Sequence, residues 1–357
     1  MRCALIIGLG CAMCAMGGCA LKESGPPQPE TVASDVALDR ALRTSSLVES
    51  EQPFHLILEI SPAATAHGNP DAASDSEMYA KIELFWLNRL TYRTVIHSKA
   101  FSQIRIVNGR VVEEHDKGDF YPRWIQNFVD AILEPAPKAA VLRRASGTVP
   151  IGANSQPCID TSGQMGGAAD RGQDEESVTR VCFRDLEPRI ASSMDFTRYV
   201  AFDDFAPFGS VARQQIARTL VNVLPANVQL KGRITRLEPL RRTDYSLLKA
   251  KEFTLPASQI QTTLVSQRAA AAMLETPLAK SASGKTFSSS SSSSAAGIPN
   301  TIYVRTDRTG KVREAYCNRT DQFHQQDAAV SRALMLKFKP LVVRGVALQM
   351  EAPFAIQ

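Results

Sequence analysis

The sequence predicts an α+β protein: a curved antiparallel β-sheet half-barrel with packed helices, followed by a small C-terminal β-β-α-β unit. Three observations carry this. Short, alternating apolar segments broken by turn residues fill 53–107 and 180–250. Helical spacing of apolar residues is clearest over 122–134 and 323–338. A run of serines from Ser288 to Ser294 separates the last sixty residues from the rest.

The chain has 357 residues, and length over ~150 suggests about two domains. With 44% apolar and 22% charged residues it is neither disordered overall nor a multi-span membrane protein. Lys plus Arg is 41 against 36 Asp plus Glu, a net charge of +5. A balance so near neutral gives no electrostatic reason to expect nucleic acid as a partner.

The start of the chain sets the compartment. Residues 3–20 carry no charge, Arg2 precedes them, and Lys22 and Glu23 follow. This is the pattern of an export signal over 1–20, with a transmembrane anchor as the alternative. Cleavage after Ala20 is one outcome. Met16-Gly17-Gly18-Cys19 resembles a lipobox, which would make Cys19 a lipidation site and hold the protein on a membrane without a spanning helix. Otherwise Cys19 is one small residue among Cys3, Cys11 and Cys14. Past residue 20 no apolar run reaches the ~18 residues that a span needs.

Cys158 and Cys182 bracket a Gly-, Asp- and Gln-rich loop. In an oxidising compartment a bridge between them would add ~3 kcal/mol; the alternative is two thiols. Cys317 is then left over, in a strand.

Residues 21–50 read as a Pro-containing tether with a nascent helix around Val36 to Leu47. The β domain runs over 51–256. Its strands are 53–60, 80–88, 91–97 and 101–107, the last entering an Asn108-Gly109 hairpin turn. Ile82, Leu84 and Trp86 share a face, as do Tyr92, Thr94 and Ile96. Pro122 suits a first helical position, and Trp124, Phe128 and Ile132 recur every four residues, which predicts a helix packed on the sheet. Residues 257–297 read as an Ala/Ser-rich linker. In 298–357, Ile302 and Val304 alternate, Asp307 to Gly310 turn, a helix spans 323–338, Pro340 ends it, and 346–356 is a last strand.

These last sixty residues resemble the TonB C-terminal domain family. The resemblance rests on D-R-T-G-K-V (307–312), D-A-A-V (327–330), K-F-K-P (337–340) and R-G-V-A-L (344–348). Ala347 stands where that family has Pro, and no Y-P-x-x-A segment precedes the first strand. More distantly, 53–255 resembles the LolA-type half-barrel of lipoprotein carriers, through F-H-L (54–56), E-L-F-W (83–86), Y-R (92–93), F-S-Q (101–103), Tyr121-Pro122 and F-D-D-F-A-P-F-G (202–209). That resemblance implies a curved sheet closed by helices over an apolar cavity.

No catalytic, cofactor-binding or metal-binding constellation stands out. None of His55, His67, His97, His115 and His324 has a partner at metal-ligand spacing. His115-Asp116 reads as a solvated turn. Gly284-Lys285-Thr286 sits in the linker, not in a strand-to-helix phosphate loop. Asp203-Asp204 suits a turn as well as a cation. The expected function is that of a non-enzymatic bacterial cell-envelope protein in the periplasm, possessing no cofactor. It would bind a lipid, a lipoprotein or an envelope protein, with membrane attachment through a lipidated N-terminus. The alternative is a TonB-type energy transducer to outer-membrane receptors; a hydrolase with an unrevealed site is a third reading.

Overall fold

The computed structural model describes residues 30–50, 52–63, 78–118, 120–136, 148–151, 157–164, 176–184, 189–195, 198–209, 214–224, 228–251, 262–275, 300–317, 323–343 and 345–356. Residues 1–20, read above as an export signal, with Cys19, and the serine run lie outside them. No helix among the described residues is long and apolar enough to cross a membrane.

Strand β1 (Glu30–Ala33) leads directly into helix α1 (Ser34–Ser45). A meander follows: β2 (Phe54–Pro62), β3 (Ala80–Asn88), β4 (Thr91–Ser98), β5 (Ser102–Asn108) and β6 (Val111–Lys117). Helix α2 (Arg123–Leu133) comes next, then β7 (Thr148–Ile151), which pairs with β1. A second run supplies β8 (Cys158–Gln164), β9 (Glu176–Arg184), β10 (Arg189–Asp195), β11 (Arg198–Pro207), β12 (Gln215–Val223) and β13 (Gln229–Pro239). Apart from β1 and β7, these form one antiparallel sheet of eleven strands in the order 6-5-4-3-2-13-12-11-10-9-8. The sheet is open, with β6 and β8 at its edges. Bulges at Trp86/Asn88, Ile190/Ser192 and Ile234/Arg236 interrupt the ladders, and a bulge bends and twists its strand.

Period-two alternation puts one set of side chains on the inner face. Phe54, Leu56, Leu58 and Ile60 of β2 are fully buried there, with Ile82, Leu84 and Trp86 of β3 beside them. The register pairs Trp86 with Tyr92, Leu84 with Thr94 and Ile82 with Ile96, so both predicted sets lie on one face. α1 and α2 pack over it. Gly232 makes room for α2, because a Cβ there would lie 2.6 Å from the Phe128 ring.

Two segments are more ordered than their composition suggests. The tether's nascent helix is α1, whose Ala37, Leu38 and Ala41 are wholly buried, because its small and apolar residues form one stripe. Within the stretch read as linker, β14 (Thr262–Leu264) pairs parallel to the last strand, and α3 (Gln267–Met273) is N-capped by the Ser266 hydroxyl.

The C-terminal unit holds β15 (Asn300–Thr306), β16 (Val312–Cys317), α4 (Phe323–Leu334), β17 (Leu341–Val343) and β18 (Val346–Ile356). Its sheet runs 14-18-15-16, with β17 also on β18. The β-β-α-β order is therefore present, with an added β17. Asp307 shapes the β15–β16 turn: its Oδ1 accepts from the N–H groups of Thr309 (2.9 Å) and Lys311 (3.1 Å). Gly310 has φ +84°, and a Cβ there would sit 1.9 Å from the Phe338 carbonyl oxygen. α4 stops at Leu334, four residues before the expected end. Lys337 and Phe338 instead bridge to Lys311 and Leu274, and Phe338 packs edge-on against Phe354. Pro340 thus follows an extended segment.

Cys158 and Cys182 are disulfide-bonded across β8–β9, with Cα atoms 4.0 Å apart. Cys317 ends β16.

Candidate binding groove and the seam beside it

Among the described residues the inner face is packed where the half-barrel resemblance implies an apolar cavity. Phe128, Leu38 and Leu47 fill it, and the gap bounded by Leu47, Ile132, Phe202, Leu220 and Ile234 is about 10 Å³. The larger space lies at the rim. There a groove of about 490 Å³ runs beside α2, a size usual for small-molecule sites. Arg123 in the first turn, Asp130 two turns on, and Leu133 and Glu134 at the end form one wall. At 1.5 Å rise per residue that wall is ~16 Å long.

Trp86 of β3 and Tyr92 of β4 face it, stacked at 5.2 Å, with Phe54 stacked behind Trp86 at 6.0 Å. Val48, Arg89 and Arg198 complete the lining. Arg89 is held by Glu134 (2.6 Å) and Glu49 (3.3 Å). Arg198 is nine-tenths buried and donates to Ser193 Oγ at 3.4 Å. The groove thus combines stacked aromatic rings with charged groups of both signs, on α2 and on the β3–β4 turn.

Two amides mark the interior next to this wall. Asn127 lies between Arg123 and Asp130 on the same stripe of α2. It is fully buried, and neither polar atom of its side chain has a hydrogen-bond partner among the described residues. Asn222 of β12 is in the same condition, on the inner-face parity of Leu220. Unsatisfied buried amides are costly and rare.

The start of α2 is also where the two sheets meet. The Glu314 carboxylate from β16 accepts the backbone N–H of Arg123 at 3.0 and 3.1 Å, satisfying a donor that a helix leaves open at its N-terminus. Gln349 of β18 exchanges two bonds with the Tyr121 backbone, at 2.9 and 3.1 Å. Arg305 of β15 is fully buried. It donates to Gln126 Oε1 (3.1 Å) and Thr262 Oγ1 (2.5 Å), lies over the Tyr121 ring, and its Nε is 3.8 Å from Glu351. Arg308 reaches Asp116 at 3.5 Å.

Burial pushes the Glu314 carboxyl above its usual range, against the pull of Arg305, the Tyr316 hydroxyl and the Arg123 N–H. Burial also raises the Tyr316 and Tyr121 hydroxyls, with Glu314 adding to the shift at Tyr316.

Several sequence expectations are refined here. Asp116 is not in a solvated turn: its side chain is buried against Arg308, while neighbouring His115 is 65% exposed and bonds Glu113. Asp203 and Asp204 lie within β11, where Asp203 pairs with Arg184 at 3.1 Å and Asp204 adopts φ 54°. His55 does gain acidic neighbours, Glu83 at 2.8 Å and Glu238 at 3.6 Å, which spacing missed because they come from the two strands that flank its own, β3 and β13. No cluster of three or more metal-ligating side chains occurs among the described residues. Arg198 had a readable signal: it shares the inward parity of Val200 and Phe202.

No protein-family model matches the chain, and no curated protein matches it. The TonB-type likeness of 298–357 therefore remains a resemblance of sequence. Among solved structures, a LolA superfamily protein from Nitrosomonas europaea is similar at 8% identity and a TM-score of 0.34, covering 61% of this chain and 98% of that one. A protein domain assigned to outer-membrane lipoprotein sorting from Vibrio parahaemolyticus is similar at 8% identity and 0.33, covering 60% and 97%.

Proposed function

We propose that this chain is a non-enzymatic protein of the bacterial cell envelope that binds a lipid or the acylated end of a lipoprotein in the rim groove. One observation carries the reading: the groove brings the stacked Trp86 and Tyr92 rings together with the guanidinium and carboxylate groups of Arg123, Asp130 and Glu134. Such a site suits an amphiphile, with its chain against the aromatic rings and its polar end at the charged groups. The uncharged stretch 3–20 after Arg2, and the Cys158–Cys182 bridge, support a setting outside the cytosol. The C-terminal unit then serves as the module that holds the N-terminus of α2 and meets other envelope components.

The test is extraction of the protein without detergent, followed by lipid mass spectrometry and titration with a fluorescent fatty acid. The titration is read through quenching of Trp86. Leu133→Arg replaces an aliphatic side chain of the α2 wall by a cation and is expected to weaken binding at least tenfold. Equal binding by wild type and variant, or no acyl species with either, would overturn the assignment.

A further inference from the structure

The large sheet and the small unit keep separate apolar cores. That of the small unit holds Ile302, Val304, Ala333, Phe338, Met350 and Phe354, and among the described residues no apolar side chain belongs to both cores. The surfaces that meet at the seam are of another kind. Register sets Arg305 between Glu351 and Glu314, and Tyr303 between Pro353 and Tyr316, on the face of the small sheet opposite to Ile302 and Val304. Gln349 continues that face along β18. On the large sheet, Asp116, the partner of Arg308, belongs to a polar stretch of the inner face. There Gln103 and Asp116 stand in line with Ile96, and Arg105 and Glu114 in line with Thr94.

These groups bond water as well as they bond each other, so parting the two units wets the seam without opening either core. Buried ionic pairings add little net stability, and units joined through polar contacts move relative to one another by default. Tyrosines such as Tyr303 and Tyr316 are common where one end of the ring is wet.

Arg123 ties the seam to the groove. Its backbone N–H is held by Glu314, its Nη1 lies 3.9 Å from Glu351, and it lines the groove. One cation is thus shared between a carboxylate of the small unit and the space open to a ligand.

We infer that the small unit is a detachable cap on the start of α2, and that an anionic amphiphile in the rim groove favours its release by drawing the Arg123 guanidinium away from Glu351. The cap is independent of what the groove holds, whereas the coupling rests on the proposed role of the groove. Coupling between sites is reciprocal, so release of the cap raises the affinity of the groove for an anionic head.

Amide hydrogen exchange of the full chain tests both. The Arg123 N–H, in the first turn, has no acceptor within its own helix, so its protection reports contact with Glu314. Protection of the Tyr121 N–H reports contact with Gln349. The Gln126 N–H donates to the Pro122 carbonyl and reports the helix itself. Without ligand, Tyr121 and Arg123 are expected to exchange together, faster than Gln126 and faster than the amides of β2. Gln349→Ala removes two bonds to Tyr121 and is expected to speed exchange at Arg123 roughly tenfold. Exchange of Tyr121 and Arg123 no faster than β2 would overturn the cap. So would exchange of Gln126 in step with them, which is fraying of α2.

Dodecanoate and dodecanol then separate charge from chain. Dodecanoate is expected to speed exchange at Tyr121 and Arg123, and dodecanol to leave it unchanged. Arg123→Gln keeps the backbone N–H and is expected to remove the dodecanoate effect. Dodecanoate that quenches tryptophan fluorescence yet leaves both amides at their ligand-free rates would overturn the coupling while the groove assignment stands. Absence of quenching would overturn the groove assignment and the coupling together, and the ligand-free rates still decide the cap.

Discussion

The two faces that pack against α2 are built on opposite principles. Beneath the helix, Phe128, Ile132 and the inner face of the large sheet form a close-packed, mainly apolar layer that also holds the buried amides of Asn127 and Asn222. At its first turn, Glu314, Arg305, Glu351, Gln349 and Tyr316 of the small unit form a largely buried polar seam. The apolar layer is non-directional and tolerates any side chain of suitable shape. The seam depends on direction and pairing. It adds little net stability, because desolvation consumes much of the attraction, yet it loses a great deal when one partner goes. Dense packing thus secures the helix to the large sheet, and the seam determines which surface of the small unit meets it.

The largest expected effect is in the apolar layer. Phe128→Ala should lose ~3–5 kcal/mol in urea unfolding, because Gly232 and Leu58 cannot collapse into the space. A loss below ~1 kcal/mol would mean that the layer is loosely packed. Arg305→Met should cost ~3 kcal/mol, because Glu351 stays buried without its nearest cation from β15. Replacing Arg305 and Glu351 together, by Met and Leu, should restore stability to within ~1 kcal/mol of wild type. A double variant as damaged as the single one would show that the seam is more than a matched pair. As a reference remote from both faces, Cys158→Ala with Cys182→Ala should cost ~3 kcal/mol.

The smallest effect concerns pH. The Glu314 carboxyl is raised in the folded state, so folding favours its protonated form. Its stabilising contribution is full below the usual Glu value and is lost as pH rises through the folded value. Glu314→Gln should therefore flatten the dependence of Tm on pH on the neutral side of that usual value. At neutral pH it should cost little. A strongly destabilised Gln variant at neutral pH would instead show that the seam requires the carboxylate.

The inner-face strands were readable because alternation along β2 and β3 reports burial on one side, and a single buried side suffices for such strands. β15 was only half readable. Ile302 and Val304 predict the face toward α4, but Tyr303 and Arg305, 3% and 0% exposed, cover the other face and carry the seam. An arginine in a strand pattern normally reads as solvent-facing, and no local signal shows that Gln126, Thr262 and Tyr121 will meet it. The groove was hidden for the same reason, since its walls come from α2, the β3–β4 hairpin and the start of β11. Asn127 sits in a helical pattern that was legible, while its burial was not.

Taken alone, the order of amino acids decided the alternating strands, the α2 stripe and the Asp307–Gly310 turn, because each is set by a period, a spacing or a backbone preference within a short stretch. The tertiary structure alone decided that the inner face is filled, that the opening lies at the rim, and that the small unit caps α2 through Glu314. Those outcomes depend on which distant surfaces come together and how completely side-chain volumes occupy the space between them, and local sequence periodicity carries no record of either.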